Sequence, residues 1–199
     1  ILAETIENKS VSSPSGKVKV LFSLSKNGEP LYSVEFNGKT ILLESKLGLV
    51  RNDVDFSQNL SFVSSSKTKV NDNYEILTAK RRFNSYNANE VVYRLKTIEG
   101  KQLNIIFQVS NDGVAFRYYF PNTDAKTYRL TDEKTTFHFS TDTKAWLQSM
   151  AKAQTGWEKS QPSYEEYYEK EIPVGTPSTL GVGWIYPALF RSGDTWILL

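Results

Sequence analysis

An all-β fold, built of antiparallel strands packed as a sandwich, is the class this sequence predicts. Three observations carry it. Apolar residues recur with a period of two along most of the chain, as strands with one buried side require. Short turn signals rich in Asn, Asp and Gly separate the alternating runs. No long segment carries the spacing of an amphipathic helix.

The elements follow in order. In residues 17–24, Val18, Val20, Phe22 and Leu24 share one face, with Lys17, Lys19 and Ser23 opposite. Asn37-Gly38 separates the runs 31–36 and 39–43, and Asn-Gly is the strongest short hairpin signal. Glu99-Gly100 ends a run at 90–98. In 102–110, Leu103, Ile105, Phe107 and Val109 alternate with Asn104, Ile106 and Gln108. Asn111-Asp112-Gly113 leads into a run where Val114, Phe116, Tyr118 and Phe120 share a face. Residues 144–157 read as a helical turn at most. Residues 154–177, rich in Glu, Tyr, Pro and Lys and poor in alternation, read as a long loop of the kind that carries function. Ser192-Gly193-Asp194 joins 188–191 to a final run at 195–199. The chain stops inside that apolar run, so a fragment of a longer, multidomain protein is expected. Residues 1–12 are set apart as an N-terminal extension and 13–199 as one sandwich domain.

Composition bounds the function classes. A 199-residue chain with 39% hydrophobic and 23% charged residues reads as globular. A net charge of +2 gives no electrostatic argument for nucleic acid or an anionic membrane. The absence of cysteine excludes a disulfide framework and thiolate chemistry, and a single histidine excludes a multi-histidine zinc site. No apolar stretch reaches the roughly 18 residues that span a bilayer. Residues 1–10 lack the features of a signal peptide.

The sharpest cluster of reactive groups is the run from Tyr164 to Glu171. It places Glu165, Glu166, Glu169 and Glu171 beside Tyr164, Tyr167 and Tyr168. Calcium takes roughly six to eight oxygen ligands, and carboxylates supply them. This run could donate one or two, or could be a solvated acidic loop balanced by Lys159 and Lys170. His138, between Phe137 and Phe139, reads as structural or exposed. Asn52-Asp53-Val54-Asp55 looks like the start of a calcium loop but lacks the glycine and distal glutamate, so it reads as a turn. Trp146, Trp157, Trp184 and Trp196 could stack on sugar rings, with core or interface packing the commoner use of each. Trp157, in the long loop, is the candidate substrate-binding position. No nucleophile elbow, phosphate loop or dinucleotide fingerprint is present.

Several segments, taken together and in order, resemble the N-terminal domain of glycoside hydrolase family 97. They are Ser13-Pro14-Ser15-Gly16-Lys17, Gly28-Glu29-Pro30-Leu31-Tyr32-Ser33-Val34, Asn37-Gly38-Lys39 and Ser45-Lys46-Leu47-Gly48-Leu49. Next come Asn111-Asp112-Gly113-Val114-Ala115-Phe116-Arg117-Tyr118 and Glu133 with Thr136 and Phe137. The last is Tyr164-Glu165 with Tyr168. The resemblance implies an antiparallel β-super-sandwich of galactose-mutarotase-like form, followed in the complete enzyme by a (β/α)₈ barrel and a small β domain. It implies hydrolysis of α-glucosides or α-galactosides, with calcium in the active site. It assigns Glu165 to the calcium, with Glu166 as the neighbour that replaces it if the register shifts by one. The catalytic acid and its partner belong to the barrel, so no catalytic residue is expected in this chain. The expected partner is an α-linked oligosaccharide bound through the barrel, and the implied location is periplasmic or secreted. A stand-alone carbohydrate-binding sandwich is the alternative, and a sandwich used only for protein contacts is a third.

Overall fold

The computed structural model describes residues 9–121, 124, 126–150 and 168–199. Among them, fourteen strands form four antiparallel sheets and no helix occurs. The chain divides into two compact units, Ile1–His138 and Phe139–Leu199.

In the first unit, β1 (Lys9–Ser12), β2 (Val18–Leu24), β3 (Pro30–Phe36) and β4 (Lys39–Lys46) form one sheet in sequence order. β5 (Leu49–Arg51) pairs with β10 (Leu130–Glu133) as a separate ribbon. Between them in sequence, β6 (Ser61–Glu75), β7 (Phe83–Lys96), β8 (Gln102–Ser110) and β9 (Val114–Tyr119) form the second sheet. β1 lies within the stretch set apart as an extension; its Val11 is buried and all four residues pair with β2.

The alternation read from the sequence decides which faces are buried. β2 buries Val18, Val20, Phe22 and Leu24, and β8 buries Leu103, Ile105, Phe107 and Val109. β8 also buries Ile106, as suits an interior strand of its sheet. Rings from the two sheets then interlock. Phe22 stacks on Tyr93 with centroids 4.3 Å apart and planes 12° from parallel. Phe107 lies 6.4 Å from Phe22 and 6.2 Å from Tyr93. Tyr32 sits 6.0 Å from Phe107 and 5.9 Å from Phe116. Burying each such ring contributes about 1.5–3 kcal/mol, and favourable ring pairing about 0.5–1.5 kcal/mol more.

Turn chemistry sets the register. Asn37 and Gly38, at φ 50° and 76°, make the tight turn between β3 and β4 that the Asn-Gly pair predicts. Gly48 is required by close approach as well as by its φ of 138°. A β-carbon there would lie 2.6 Å from Ser57 Cα, and its N–H donates to Tyr118 Oη at 2.9 Å.

The β6 arm of the long β6–β7 hairpin was not legible in the sequence, although the run at 90–98 overlaps β7. β6 is largely Ser, Thr, Asn and Lys, and nearly all of it is exposed. It becomes a strand because it ladders onto β7 from Ser61↔Lys96 to Glu75↔Phe83. Pairing with a neighbour, not burial, selects its conformation.

In the second unit, β11 (Lys144–Gln148), β12 (Tyr168–Pro173), β13 (Leu189–Ser192) and β14 (Thr195–Leu198) form one sheet in the order β12-β11-β13-β14. The helical turn expected in 144–157 is instead a strand over its first five residues. Ala145 and Leu147 are buried and Trp146 faces the other way, an alternation too short to read from sequence. Phe139 and Phe190 stack at 4.3 Å as the apolar centre of this unit.

One buried group in the first unit gives a test. The Tyr93 hydroxyl is buried and has no hydrogen-bond partner among the described residues. Burial pushes its pKa up to about 12. An unfolded tyrosine titrates near about 10, so the folded chain holds this proton more tightly. Stability tied to Tyr93 is therefore full below about pH 10 and declines as pH rises towards about 12. Tyr93→Phe should leave stability at pH 8 unchanged or raise it by up to about 1 kcal/mol. It should also shallow the loss of melting temperature between pH 10 and 12. A lower melting temperature for Tyr93→Phe at pH 8 would show that the hydroxyl has a partner.

Candidate functional site

Glu165, Glu166 and Trp157, the residues expected at the metal and sugar sites, lie outside the described residues, as does the rest of 151–167. The segment that follows them is described. Residues 168–173, read as part of a long loop, are strand β12. β12 pairs with β11 through a register shift between Ala145 and Leu147. Its alternation was hidden because it is an edge strand with no buried side. The carboxylates carried by β12 are already engaged. Thr179 Oγ1 donates to Glu169 Oε1 at 3.0 Å, and Arg191 Nη2 donates to Glu171 Oε1 at 2.9 Å. Glu171 sits at φ 57°, in the left-handed region that costs a residue with a β-carbon about 1–2 kcal/mol.

The described tryptophans of this unit, Trp146, Trp184 and Trp196, are not core residues. Trp146 on β11 and Trp196 on β14 approach to 4.8 Å between centroids across the intervening β13, with planes 48° apart. The Arg191 guanidinium lies 5.6 Å and 5.5 Å from the two ring centroids. Its pairing with Glu171 completes a row of Trp146, Arg191, Trp196 and Glu171. Trp196 is 53% exposed and Leu198, two residues on, is 68% exposed. Trp184 instead donates its indole N–H to Thr176 O at 3.1 Å.

The remaining candidates are structural. His138 is exposed; its N–H donates to Ser45 Oγ at 2.9 Å and it bridges to Leu43. The Asn52–Asp55 segment is a turn, as its sequence suggested. Asp53 takes a bidentate hydrogen bond from Arg51 at 2.9 Å and 2.7 Å, which holds its carboxyl below the usual range. Arg51 is in turn boxed by Phe56, Phe120 and Tyr128, with Tyr128 at 3.8 Å. Burial pushes the Asp55 carboxyl up, but hydrogen bonds from Ser57 and Gln58 outweigh it, so its pKa falls. Asp55, Asp132 and Glu133 line an open cleft of about 920 Å³. Each has a partner within the chain: Ser57, Lys134 and Thr135 respectively. Among the described residues, no three His, Asp or Glu side chains gather as a metal site.

Comparison with known proteins places this architecture. The chain is similar to a solved β-arabinopyranosidase at 35% identity and a TM-score of 0.90, over 96% of this chain and 31% of that one. It shares its fold with a glycoside hydrolase family 97 enzyme from Pseudoalteromonas sp. strain K8, solved with panose and with acarbose. Those matches have 21% and 22% identity and TM-scores of 0.74 and 0.75, over 94% of this chain and 27% of theirs. A curated relative, a probable retaining α-galactosidase of Streptomyces bingchenggensis (strain BCW-1), is 25% identical over 166 residues, 83% of this chain and 24% of its own length. The class is thus the β-sandwich domain found in multidomain carbohydrate-cleaving enzymes, and the chain spans about a quarter to a third of these relatives. A family model described as "Glycosyl-hydrolase 97 N-terminal" matches residues 11–199, and the chain belongs to that family.

The strained Glu171 gives a test of the site's local structure. Glu171→Ala keeps the left-handed backbone and loses the exposed ion pair, whereas Glu171→Gly loses the pair and relieves the backbone. The glycine variant should be the more stable of the two by about 1 kcal/mol in thermal unfolding. Equal stabilities, or a more stable alanine variant, would contradict the left-handed conformation at this position.

Proposed function

We propose that this chain is the N-terminal domain of a calcium-dependent enzyme that cleaves α-linked glycosides. In the parent protein it caps the catalytic barrel and lends the Glu165 carboxylate, or that of Glu166, to the calcium site. The observation that carries this reading is the family match across 11–199, joined to a TM-score of 0.90 with an enzyme of which this chain covers 31%. Calcium takes roughly six to eight oxygen ligands, more than Glu165 and Glu166 supply, so in this reading the site is completed elsewhere in the parent. Bound there, calcium supplies a cation that can stabilise charge developing at the scissile bond. The part of this chain is to present that carboxylate from a rigid sandwich and to wall one side of the sugar pocket. The catalytic acid and base belong to the barrel. A periplasmic or secreted location belongs to the same reading.

Sugar stereochemistry narrows the substrate. β-L-Arabinopyranose has the same configuration at C1 to C4 as α-D-galactopyranose and lacks only the C6 hydroxymethyl group. With its arabinopyranose taken as the L sugar, the relative named β-arabinopyranosidase shares one pattern with the relative named α-galactosidase, an axial hydroxyl at C4. The enzyme with panose and acarbose stands further away, at 21–22% identity. We take a galacto-configured terminal sugar as the substrate class. A free-standing carbohydrate-binding module is the second reading, favoured by the exposure of Trp196 beside Trp146. The 48° tilt between their rings suits packing better than a flat sugar-stacking platform.

Two measurements test these proposals. Calorimetric titration of the parent enzyme with calcium should show tight binding that Glu165→Gln weakens by roughly tenfold or more. The 199-residue chain alone should bind poorly. A parent indifferent to Glu165→Gln and to Glu166→Gln would remove both glutamates from the site. Separately, the parent's kcat/KM on p-nitrophenyl α-D-galactopyranoside or β-L-arabinopyranoside should exceed that on the α-D-glucopyranoside by roughly tenfold or more. A preference for the glucoside would reverse the assignment.

A further inference from the structure

The sequence holds two Asn-Gly pairs, Asn27-Gly28 and Asn37-Gly38, and the fold treats them differently. Asparagine is a thermolabile residue, and asparagine before glycine is especially open to one reaction. The glycine backbone nitrogen attacks the carbonyl carbon of the asparagine side chain. A C–N bond forms there, the side-chain nitrogen leaves as ammonia, and a cyclic succinimide results. Water then opens the ring at either carbonyl, which gives aspartate or isoaspartate. Glycine favours the attack because no side chain shields its nitrogen. The reaction needs that nitrogen free and the peptide between the two residues able to turn.

The fold denies both conditions to Asn27-Gly28. Gly28 is buried, and its N–H donates to Ser25 O at 2.8 Å. Asn59 N donates to Asn27 O at 2.8 Å, and Leu60 N donates to Gly28 O at 3.1 Å. Ser25 Oγ accepts from Asn27 N at 3.2 Å and from Glu29 N at 3.1 Å. A β-carbon on Gly28 would lie 2.5 Å from the Leu60 backbone, so this peptide is packed as well as bonded.

Asn37-Gly38 has none of these restraints. Residues 37–40 are exposed, and a β-carbon on Gly38 would meet nothing within 4 Å. Among the described residues, no hydrogen bond engages the Gly38 N–H. Asn37 N donates to Lys17 O at 2.8 Å, which leaves the peptide between Asn37 and Gly38 unpinned. Asn37 must leave its φ of 50° for the attack, and an exposed turn opens locally at low free energy.

We propose that Asn37 is a modification site: in water it deamidates through a succinimide formed with Gly38, while the fold protects Asn27. The product bears on the fold, because this turn holds the β3–β4 register. Isoaspartate adds a methylene to the backbone where the turn needs the left-handed conformation. The inference goes beyond the proposed function, since it requires neither calcium nor substrate.

The test is to incubate the folded parent enzyme at mildly alkaline pH and follow both sites by peptide mapping with mass spectrometry. The peptide carrying Asn37 should convert to aspartate and isoaspartate forms at least roughly tenfold faster than the peptide carrying Asn27, because only the latter must unfold locally to react. In denaturant the two rates should come within roughly threefold of each other, because local protection is then gone. No conversion at Asn37 in the folded enzyme, or conversion at Asn27 that is as fast, would overturn the proposal. A gap that persists in denaturant would also overturn it, by assigning the difference to neighbouring sequence instead of the fold.

Discussion

The first unit depends on one constraint: two four-stranded sheets must present their rings to each other in complementary register. Phe22 and Tyr32 come from one sheet, and Tyr93, Phe107 and Phe116 from the other. Because side chains alternate along a strand, a slip of one residue in β2 or β8 would turn Phe22 or Phe107 outward with every other core residue of its strand. Turns such as Asn37-Gly38 therefore matter beyond their own few residues, since they hold the register that brings the rings together. The buried Tyr93 hydroxyl shows the cost of this arrangement: stacking on Phe22 places the oxygen where no described residue can meet it.

Polar groups near the edge of that core are handled differently. Tyr118 reaches Gly48 N and Thr135 Oγ1, so its buried oxygen is satisfied from two strand-flanking loops at once. Arg51 is almost wholly buried, and three aromatic rings with the bidentate Asp53 carboxylate replace its water. A buried guanidinium is tolerable only when such partners are complete. In both places a short segment that looks like a loop in the sequence is held by side chains distant in the chain. That explains how β5 and β10, of three and four residues, persist as a separate ribbon.

The second unit bears on function because it carries the strand that follows the acidic run. β12 fixes where the chain leaves 151–167, and its own carboxylates are bound to Thr179 and Arg191. Glu169 and Glu171 thus serve the sheet. Two of the tryptophans that suggested a sugar platform, Trp146 and Trp196, are gathered around Arg191.

The sequence by itself determined the all-β class, the hairpin at Asn37-Gly38 and the buried faces of β2 and β8. Each of these is local: a period of two or a turn residue acts within a few positions. The family was legible through short motifs that stand in order along the chain. Only the tertiary structure decided the rest. β6 has no apolar face to announce it and is a strand because β7 lies beside it. β11 and β12 are too short or too exposed for their alternation to show. That Trp146 and Trp196 meet over Arg191 follows from the strand order β11-β13-β14, which joins residues about fifty positions apart. Which strands become neighbours is settled by long-range pairing, and long-range pairing leaves no periodicity in the sequence.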